Sequence, residues 1–447
     1  MPALDAVNNS NVRRRPRAFP QLMALAAALA MPATADEVTK WSELSTQAAL
    51  DSGLANNPIF QTRVDAMSHV AMHDALNGIQ RRYAAYTWSV PVQAGASPEA
   101  AVAAAAHDVL VDQYTQLTGF GITSQKGALD VAYANSLAAI PNGSAKSAGI
   151  AIGQAAALAI LARRATDGWN TQTVLDFAYP QGTEPGQYRF TPPNTFVFLP
   201  QWGSVRPFVL RDSQQFWPNR PYPINSNRYT DDYNEIKRLG GDGVNTPSAR
   251  TREQTEIALF WLEGSPVQWN RIARLVSAAR RLTLWENARL FALLNLALAD
   301  GYIGTFQAKY EFNFWRPITA IRLGESDGNA NTAGDPNWSP LVDTPPIPDH
   351  DSGHAVEGGA GAQVLERFFG SDRQRFQVCS TSLPAGSRCA DATPVMRTFT
   401  TFSQAADENG VSRIYVGYHF RNAVAEGIQH GRKIGNRAFN RYLRPVQ

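Results

Sequence analysis

The spacing of apolar residues along this chain is helical almost throughout, and this limits the fold more than any other feature. Residues 57 to 79 read NPIFQTRVDAMSHVAMHDALNGI, with apolar side chains three and four positions apart and a glycine near the end. Ser97 and Pro98 then resemble an N-cap and a first-turn proline before an alanine-rich stretch. Strand alternation is scarce, so the sequence predicts an all-α protein.

The rest of the chain divides into more helices and one irregular stretch. Further helices are predicted at residues 126 to 139, 144 to 163, 228 to 239, 249 to 263, 271 to 308, 354 to 369, 401 to 409 and 420 to 440. Residues 177 to 229 are instead rich in Pro, Gly, Asn and aromatic residues, which do not sustain a regular helix. Their aromatic content argues against disorder, so we expect an ordered excursion that packs over the helices or forms a substrate wall.

The first residues have the pattern of a secretory signal peptide. Four arginines between residues 13 and 17 precede an apolar run over residues 22 to 31 and the small residues Ala-Thr-Ala at 33 to 35. We therefore expect residues 1–35 to be removed after Ala35 and the protein to be secreted or periplasmic. Asn295 and Asp300 interrupt the longest later apolar stretch, so no membrane span is predicted for the mature form.

Charge gives little support for a nucleic-acid partner. The whole chain has 41 Lys and Arg against 38 Asp and Glu. Removal of residues 1–35 would take away four arginines and one aspartate, which leaves equal numbers of basic and acidic side chains. The small basic excess therefore belongs to the predicted signal peptide, and nucleic-acid binding is not expected.

Only two cysteines occur, Cys379 and Cys389, in a segment rich in Pro, Gly and Ser that is typical of a surface loop. In an exported protein this spacing favours a disulfide that closes the loop, with two free thiols as the alternative. The mature chain is expected to contain two helical regions. These are an N-terminal region, 36–230, which includes the irregular stretch, and a C-terminal domain, 231–447, which carries the candidate site.

Three short segments in the last third of the chain concentrate cationic and titratable residues. They read KYEFNFWRP from Lys309, DSGH from residue 351 and SRIYVGYH from residue 412. Lys309 and Arg316 are seven apart, which is two turns on nearly one face of a helix, and Pro317 is expected to end that helix at Arg316. A guanidinium fork together with an ammonium group suits a phosphate-like anion.

The other two segments add complementary groups. Ser352 and Gly353 precede the helix predicted from His354, so a hydroxyl and free backbone N–H groups would meet an anion at a helix N-terminus. Arg413 supplies a second fork, His419 an imidazole that can bond the central atom of the anion, and His354 a proton donor or acceptor. Each group alone is more often structural, but their order and spacing together predict an oxyanion site.

The pattern Lys, six residues, Arg-Pro, then Ser-Gly-His, then Ser-Arg, five residues, His resembles the active-site signature of the vanadium-dependent haloperoxidase and type 2 phosphatidic acid phosphatase superfamily. The segments AMHDALNGI, ALFWLEGSP and NFWRPITAIR resemble its secreted bacterial haloperoxidase branch. The resemblance implies two four-helix bundles with long irregular loops and a vanadate cofactor. It implies that the vanadate oxygens are held by Lys309, Arg316, Ser352, Gly353 and Arg413. It also implies that His419 is the axial ligand to vanadium and His354 the acid–base group, with Lys309 and His419 catalytic beside it.

Two positions depart from the family pattern. Asp351 stands where the family usually has proline, and an inward-pointing carboxylate there would weaken anion binding or raise the pKa of His354. Ala423 lies four residues after His419, where many members carry aspartate, so any partner that orients the imidazole must come from elsewhere. Glu263 is one candidate for that partner, although a structural role for it is favoured.

The resemblance implies oxidation of halide by hydrogen peroxide to hypohalous acid, which then halogenates an organic acceptor. Phe306 and Ile347 fall where Trp and Phe often stand in chloride-oxidising members, so bromide or iodide is expected rather than chloride. Homodimers occur in the family, which makes a homodimer possible here.

Two other functions fit the same residues. The first is a secreted acid phosphatase, in which His419 attacks the phosphorus of a phosphomonoester and His354 protonates the leaving oxygen. Chain length and the N-terminal resemblance favour the peroxidase. The second is a non-catalytic anion-binding or envelope protein, in which Asp351 and Ala423 mark a decayed site.

The remaining histidines carry weaker signals. His69 and His73 are four apart on one helix face, which is a possible metal pair, but packing within the first bundle is the favoured interpretation. His107 and His430 have no partner that the sequence identifies.

Overall fold

The computed structural model describes residues 36–446, so the predicted signal peptide of residues 1–35 lies outside the described residues. Within the described part, the all-α prediction is confirmed by thirteen α-helices. They are α1 (Glu37–Ser52), α2 (Pro58–Ile79), α3 (Pro98–Leu117), α4 (Lys126–Ala138), α5 (Ser144–Arg164), α6 (Asn227–Leu239), α7 (Arg252–Phe260), α8 (Ser265–Arg280), α9 (Leu284–Phe312), α10 (Pro317–Arg322), α11 (Gly353–Phe369), α12 (Phe402–Tyr415) and α13 (Arg421–Arg441).

Four short strands form two antiparallel pairs. The first pair joins β1 (Leu175–Asp176) to β2 (Val197–Phe198), and the second joins β3 (Arg373–Val378) to β4 (Arg397–Thr401). Neither pair was predicted. Between β3 and β4, Cys379 and Cys389 form a disulfide with their Cα atoms 5.1 Å apart. The disulfide therefore closes the connection of a small hairpin.

Local sequence explains where the principal helices begin. The Asn57 side chain accepts a hydrogen bond from Phe60 N at the start of α2, and the Ser97 hydroxyl accepts one from Ala100 N at the start of α3. At the start of α9, Thr283 and Glu286 form a reciprocal capping box. Each N-terminus therefore satisfies backbone N–H groups that have no partner inside the helix.

The helices pack as two bundles that α9 connects. The first contains α2, α3, α4 and α5, with α1 packed beside them, and the second contains α9, α11, α12 and α13. The helix α9 has 29 residues, which is about 44 Å at the usual helical rise, and it contacts α2 as well as α11 and α13. One described unit contains both bundles. The boundary between residues 230 and 231 stays a prediction.

Small residues allow α13 to lie directly against the beginning of α11. A Cβ atom added to Gly427 would lie 2.8 Å from Ser352 O, and one added to Gly431 would lie 1.9 Å from Val356 O. These contacts are too short for any side chain larger than glycine. The sequence of α13 therefore fixes the position of the helix N-terminus that carries the candidate site.

The boundaries of several predicted helices were wrong. The segment predicted as one helix at 271 to 308 is α8 and α9, because Arg281 adopts a left-handed conformation (φ 54°) that ends α8. The helix predicted at 401 to 409 continues to Tyr415. The helices α1 and α10 were not predicted.

One described helix, α5, is long and apolar enough to cross a bilayer by these two criteria alone. This helix is not the apolar stretch that Asn295 and Asp300 interrupt, for which no membrane span was predicted. In the structure α5 packs against α2 and α3.

The irregular stretch predicted at 177 to 229 is ordered, and it is packed against α9. The buried Asp300 carboxylate on α9 accepts hydrogen bonds from the backbone N–H groups of Phe208, Val209 and Leu210 at 2.6, 2.6 and 2.7 Å. Three backbone donors that water does not reach are thereby satisfied. The carboxylate of Asp300 thus attaches this stretch to the helix that carries Lys309.

Candidate active site

A cavity of about 660 Å³ lies where α9, α11 and α12 converge. Six of the seven predicted oxyanion residues line it, namely Lys309, Arg316, Gly353, His354, Arg413 and His419. The seventh, Ser352, immediately precedes Gly353 as the N-cap of α11. The three sequence segments therefore meet at one cavity.

Lys309 and Arg316 reach the cavity from two different helices, not from one. Asn313 adopts a left-handed conformation (φ 45°) that ends α9 at Phe312, and Arg316 is the N-cap residue of α10. The predicted position of Arg316 in the last turn of the same helix was therefore wrong. Pro317, the first residue of α10, needs no hydrogen-bond partner for its backbone nitrogen and so begins a new helix there.

The ammonium group of Lys309 is buried and binds a neighbouring loop. Its Nζ donates hydrogen bonds to Pro348 O at 3.0 Å and to Asp349 O at 2.9 Å. Burial, and then the charge of Arg316, lower the pKa of Lys309 to about 7. An anion beside this ammonium would favour its charged form.

Arg316 is fully buried, and one of its nitrogens has no partner. Its Nε donates to Ile347 O at 2.6 Å and its Nη1 to Tyr418 O at 2.9 Å, whereas Nη2 bonds no protein atom. A buried guanidinium N–H without an acceptor is costly. Arg316 thus retains a free donor at the cavity.

The beginning of α11 contributes two further unpartnered groups. The Ser352 hydroxyl makes no capping hydrogen bond, and the Nε2 atom of the buried His354 has no partner. Burial, and then the charge of Arg413, lower the pKa of His354 well below its usual value, which favours the neutral imidazole. A Cβ atom added at Gly353 would meet only Tyr302, at 3.5 Å, so packing alone does not require glycine there.

Arg413 completes the set of buried cations. Its Nη2 donates to Trp261 O at 2.6 Å and its Nε to Ser412 Oγ at 2.9 Å. Among the described residues, no carboxylate forms an ion pair with Lys309, Arg316 or Arg413. Three buried cations therefore surround one cavity without a carboxylate counterion in direct contact.

His419 contacts an aspartate that the sequence did not identify. Its Nδ1 lies 2.9 Å from Asp349 Oδ1, and its Nε2 lies 3.0 Å from Arg316 Nη1. Glu263 is not this partner and has the favoured structural role, because it pairs with Arg271 at 2.6 Å and accepts a hydrogen bond from Thr381 N at 3.0 Å. The only sequence signal for Asp349 was an acidic residue three positions before Ser352.

Asp351 points away from the cavity, so the harmful inward orientation does not occur. Its Oδ2 lies 2.9 Å from His430 Nδ1, and its Oδ1 accepts a hydrogen bond from the Thr305 hydroxyl. Burial acts to raise the pKa of Asp351, but His430 and Thr305 outweigh burial and lower it to about 2. His430 therefore has a partner that its sequence position did not reveal.

The other histidines do not gather at a metal site. His69 Nδ1 lies 2.7 Å from Asp65 O, His73 Nδ1 lies 3.0 Å from the Asp74 carboxylate, and His107 contacts two aspartates. Within residues 36–446, no group of three His, Cys, Asp or Glu side chains is arranged to hold a metal ion. Packing within the first bundle therefore accounts for His69 and His73.

The donor set fits a tetrahedral oxyanion such as vanadate or phosphate. Arg316 Nη2, Ser352 Oγ and His354 Nε2 are buried without partners, and three cations flank them. Charge-assisted hydrogen bonds to anion oxygens would satisfy these groups and offset the cost of burying the cations. Lys309, Arg316, Ser352, Gly353 and Arg413 are thus positioned to hold the oxygens, and His419 to supply a nitrogen ligand.

Most of the remaining cavity wall is apolar. Its apolar residues include Leu50, Pro58, Ile59, Phe198, Leu262, Val267, Phe306, Pro345, Pro346 and Ile347. Such a wall next to a few convergent polar groups is typical of small-molecule sites. The cavity is also larger than one tetrahedral anion requires.

Comparison with known proteins identifies relatives of this chain. Residues 289–447 match the family model of the VCPO second helical-bundle domain. The vanadium chloroperoxidase of Curvularia inaequalis is 26% identical in an alignment of 279 residues that covers 50% of this chain and 45% of that protein. The matched part thus spans less than half of that relative.

Solved structures extend the similarity to nearly the whole fold. The first bacterial vanadium-dependent iodoperoxidase superposes with a TM-score of 0.75 at 24% identity, covering 92% of this chain and 97% of that one. An apo-type bacterial vanadium-dependent chloroperoxidase superposes with a TM-score of 0.66 at 17% identity, covering 85% of this chain and 92% of that one. Residues 289–447 therefore match a VCPO helical-bundle domain, and the fold as a whole is similar to that of the vanadium haloperoxidases.

Proposed function

We propose that this protein is a vanadium-dependent haloperoxidase, which oxidises a halide with hydrogen peroxide to hypohalous acid. The observation that carries the proposal is the set of three buried cations and three unpartnered polar atoms around one cavity. These groups require an anion, and the relatives described above are named for vanadium and halide oxidation.

In this proposal each residue has a distinct part. Lys309, Arg316, Arg413, Ser352 and the Gly353 backbone would hold the oxygens of vanadate, and His419 Nε2 would supply a nitrogen ligand. Bound vanadate supplies Lewis-acid activation of hydrogen peroxide without a change in its oxidation state. The neutral His354 takes up a proton at Nε2 and returns it, which is the action of a general base followed by a general acid.

The wall beside this site supports a proposal about halide preference. Phe306 and Ile347 both line the cavity, so the wall is apolar but contains one ring at these two positions. We propose bromide or iodide as the substrate in preference to chloride. The remaining apolar volume suits an uncharged organic acceptor that is halogenated close to where the oxidised halogen forms.

An acid phosphatase is the second candidate, because the same donors fit phosphate as well as vanadate. His419 lies beside the three cations, where an attacking imidazole would be placed, and His354 could protonate the leaving oxygen. The two functions share their anion contacts and differ in whether hydrogen peroxide or a phosphomonoester reacts.

A paired assay on the purified mature protein separates the candidates. The first arm measures bromination with bromide, hydrogen peroxide and added orthovanadate, and the second measures p-nitrophenyl phosphate hydrolysis without vanadate. The proposal predicts vanadate-dependent bromination in the first arm. Phosphatase turnover that vanadate inhibits, without bromination, would establish the phosphatase, and inactivity in both arms would favour a non-catalytic anion-binding protein.

Gly353→Ala should weaken anion binding without unfolding the protein. The new methyl group meets Tyr302 at an ordinary 3.5 Å but occupies space at the cavity surface where the anion approaches the backbone. A steric cost of about 1–3 kcal/mol corresponds to a loss of vanadate affinity of about 5- to 160-fold. Equilibrium dialysis of the apoprotein measures this loss.

Gly127→Ala is the matched control for this substitution. Gly127 lies on α4, and an added Cβ atom there has no neighbour within 4 Å. Its vanadate affinity should equal that of the wild type. Equal affinity in Gly353→Ala as well would show that the anion does not lie against this part of the backbone.

A further inference from the structure

We infer that Asp349 is a positioning residue for His419, and that its carboxylate holds the imidazole in the tautomer whose Nε2 lone pair faces the anion site. This inference rests on the proposed function, because it concerns the nitrogen that would bind vanadium or attack phosphorus. The family pattern places an aspartate four residues after the axial histidine, and this chain has Ala423 there.

Two contacts determine the tautomer. Arg316 Nη1 lies 3.0 Å from His419 Nε2, and a guanidinium has only donors, so Nε2 must accept. A neutral imidazole that accepts at Nε2 carries its hydrogen on Nδ1. Asp349 Oδ1, 2.9 Å from Nδ1, is the acceptor for that hydrogen.

Only a neutral imidazole has a nitrogen lone pair that can bond the central atom of an anion. A neutral ring has two tautomers, and only the one protonated on Nδ1 leaves Nε2 free to donate a lone pair. Arg316 requires an acceptor at Nε2 and the Asp349 carboxylate requires a donor at Nδ1, so the two contacts favour the same tautomer.

The loop that carries Asp349 is held by hydrogen bonds from Lys309 and Arg316. Asp349 N donates to Phe314 O at 2.9 Å, and Asp349 O accepts a hydrogen bond from Lys309 Nζ at 2.9 Å. Arg316 Nε binds the same loop at Ile347 O. Two of the cations thus fix the backbone from which the carboxylate reaches His419.

The carboxylate that contacts His419 therefore belongs to Asp349, in the loop before Ser352, and not to a residue of α13. At Ala423 only the backbone takes part, since its carbonyl oxygen accepts a hydrogen bond from Ser352 N at 3.0 Å. Partners that bind the second nitrogen of a ligating histidine typically change metal affinity by about 10- to 100-fold when they are mutated. Asp349 should have an effect of this size.

The test combines a spectroscopic measurement with a binding measurement on the full apoprotein. ¹⁵N NMR of protein labelled at histidine reports the tautomer, and the His419 signal is assigned by its absence in His419→Gln. The wild type should show His419 protonated at Nδ1. Finding the hydrogen on Nε2 in the wild type would overturn the inference even if Asp349→Asn could not be purified.

Asp349→Asn should shift His419 away from this tautomer and weaken vanadate binding by about 10- to 100-fold. Asp351→Asn is the matched control, because Asp351 is also buried and also lies 2.9 Å from an imidazole Nδ1, that of His430, but faces away from the cavity. It should change the His430 signal and leave that of His419 in place. An unchanged tautomer and affinity in Asp349→Asn would contradict the inference.

Failure of the proposed function gives a different result. If the wild type bound neither vanadate nor phosphate but Asp349→Asn still shifted the His419 tautomer, the positioning role would stand and the oxyanion site would be refuted.

Discussion

Replacing His419 with alanine should abolish vanadate-dependent bromination, with a loss in kcat/KM of at least about 100-fold. Loss of an outer partner of a metal ligand already costs about 10- to 100-fold, and loss of the ligand itself should cost more. The substitution removes the ring nitrogen that lies among the three buried cations. Initial rates of bromination at saturating vanadate measure the effect.

His107→Ala is the control for this substitution, because His107 lies on α3, is partly buried and does not line the cavity. It should retain wild-type bromination. Thermal unfolding of both variants shows whether the loss in His419→Ala arises from the site or from the fold. Bromination within threefold of the wild type in a folded His419→Ala protein would contradict the assignment of the axial ligand.

Replacing Asp167 with alanine should lower the free energy of unfolding by about 3–5 kcal/mol. The Asp167 carboxylate accepts hydrogen bonds from Arg63 Nε at 2.9 Å and Arg164 Nε at 2.7 Å, and both arginines are buried. The substitution leaves two buried guanidinium groups without a counterion. Urea denaturation followed by circular dichroism measures the loss.

Asp51→Ala is the control for the stability measurement. The exposed Asp51 carboxylate accepts a hydrogen bond from Gln47, and its removal should change stability by no more than about 0.5 kcal/mol. A loss below about 1 kcal/mol in Asp167→Ala would mean that water hydrates Arg63 and Arg164 in the folded protein. Bromination per folded molecule should remain unchanged in Asp167→Ala, since Asp167 does not line the cavity.

The sequence was most informative where chemistry depends on residue type and order. Lys309, Arg316, His354, Arg413 and His419 were recognised from three segments that lie far apart in the chain, and the structure brings all five to one cavity. Helical periodicity likewise predicted the all-α fold, because a buried face at a spacing of three and four residues is a property of the local sequence.

The sequence was least informative where tertiary contacts decide conformation. The left-handed residues Arg281 and Asn313 end helices within stretches whose apolar pattern continues beyond them. The directions of Asp349 and Asp351 are set by His419 and His430, which are distant in sequence. Two acidic residues in one loop thus have separate partners, and residue spacing alone does not reveal this.

Titration of the apoprotein with orthovanadate tests the central claim most directly. We predict saturable binding of one vanadate per chain, displacement by phosphate, and affinity about 10- to 100-fold weaker in Lys309→Met, which removes one charged donor. Gly127→Ala serves as the control and should bind as the wild type does. Absence of saturable binding by the folded wild type, or full affinity in Lys309→Met, would contradict an oxyanion site built from these cations.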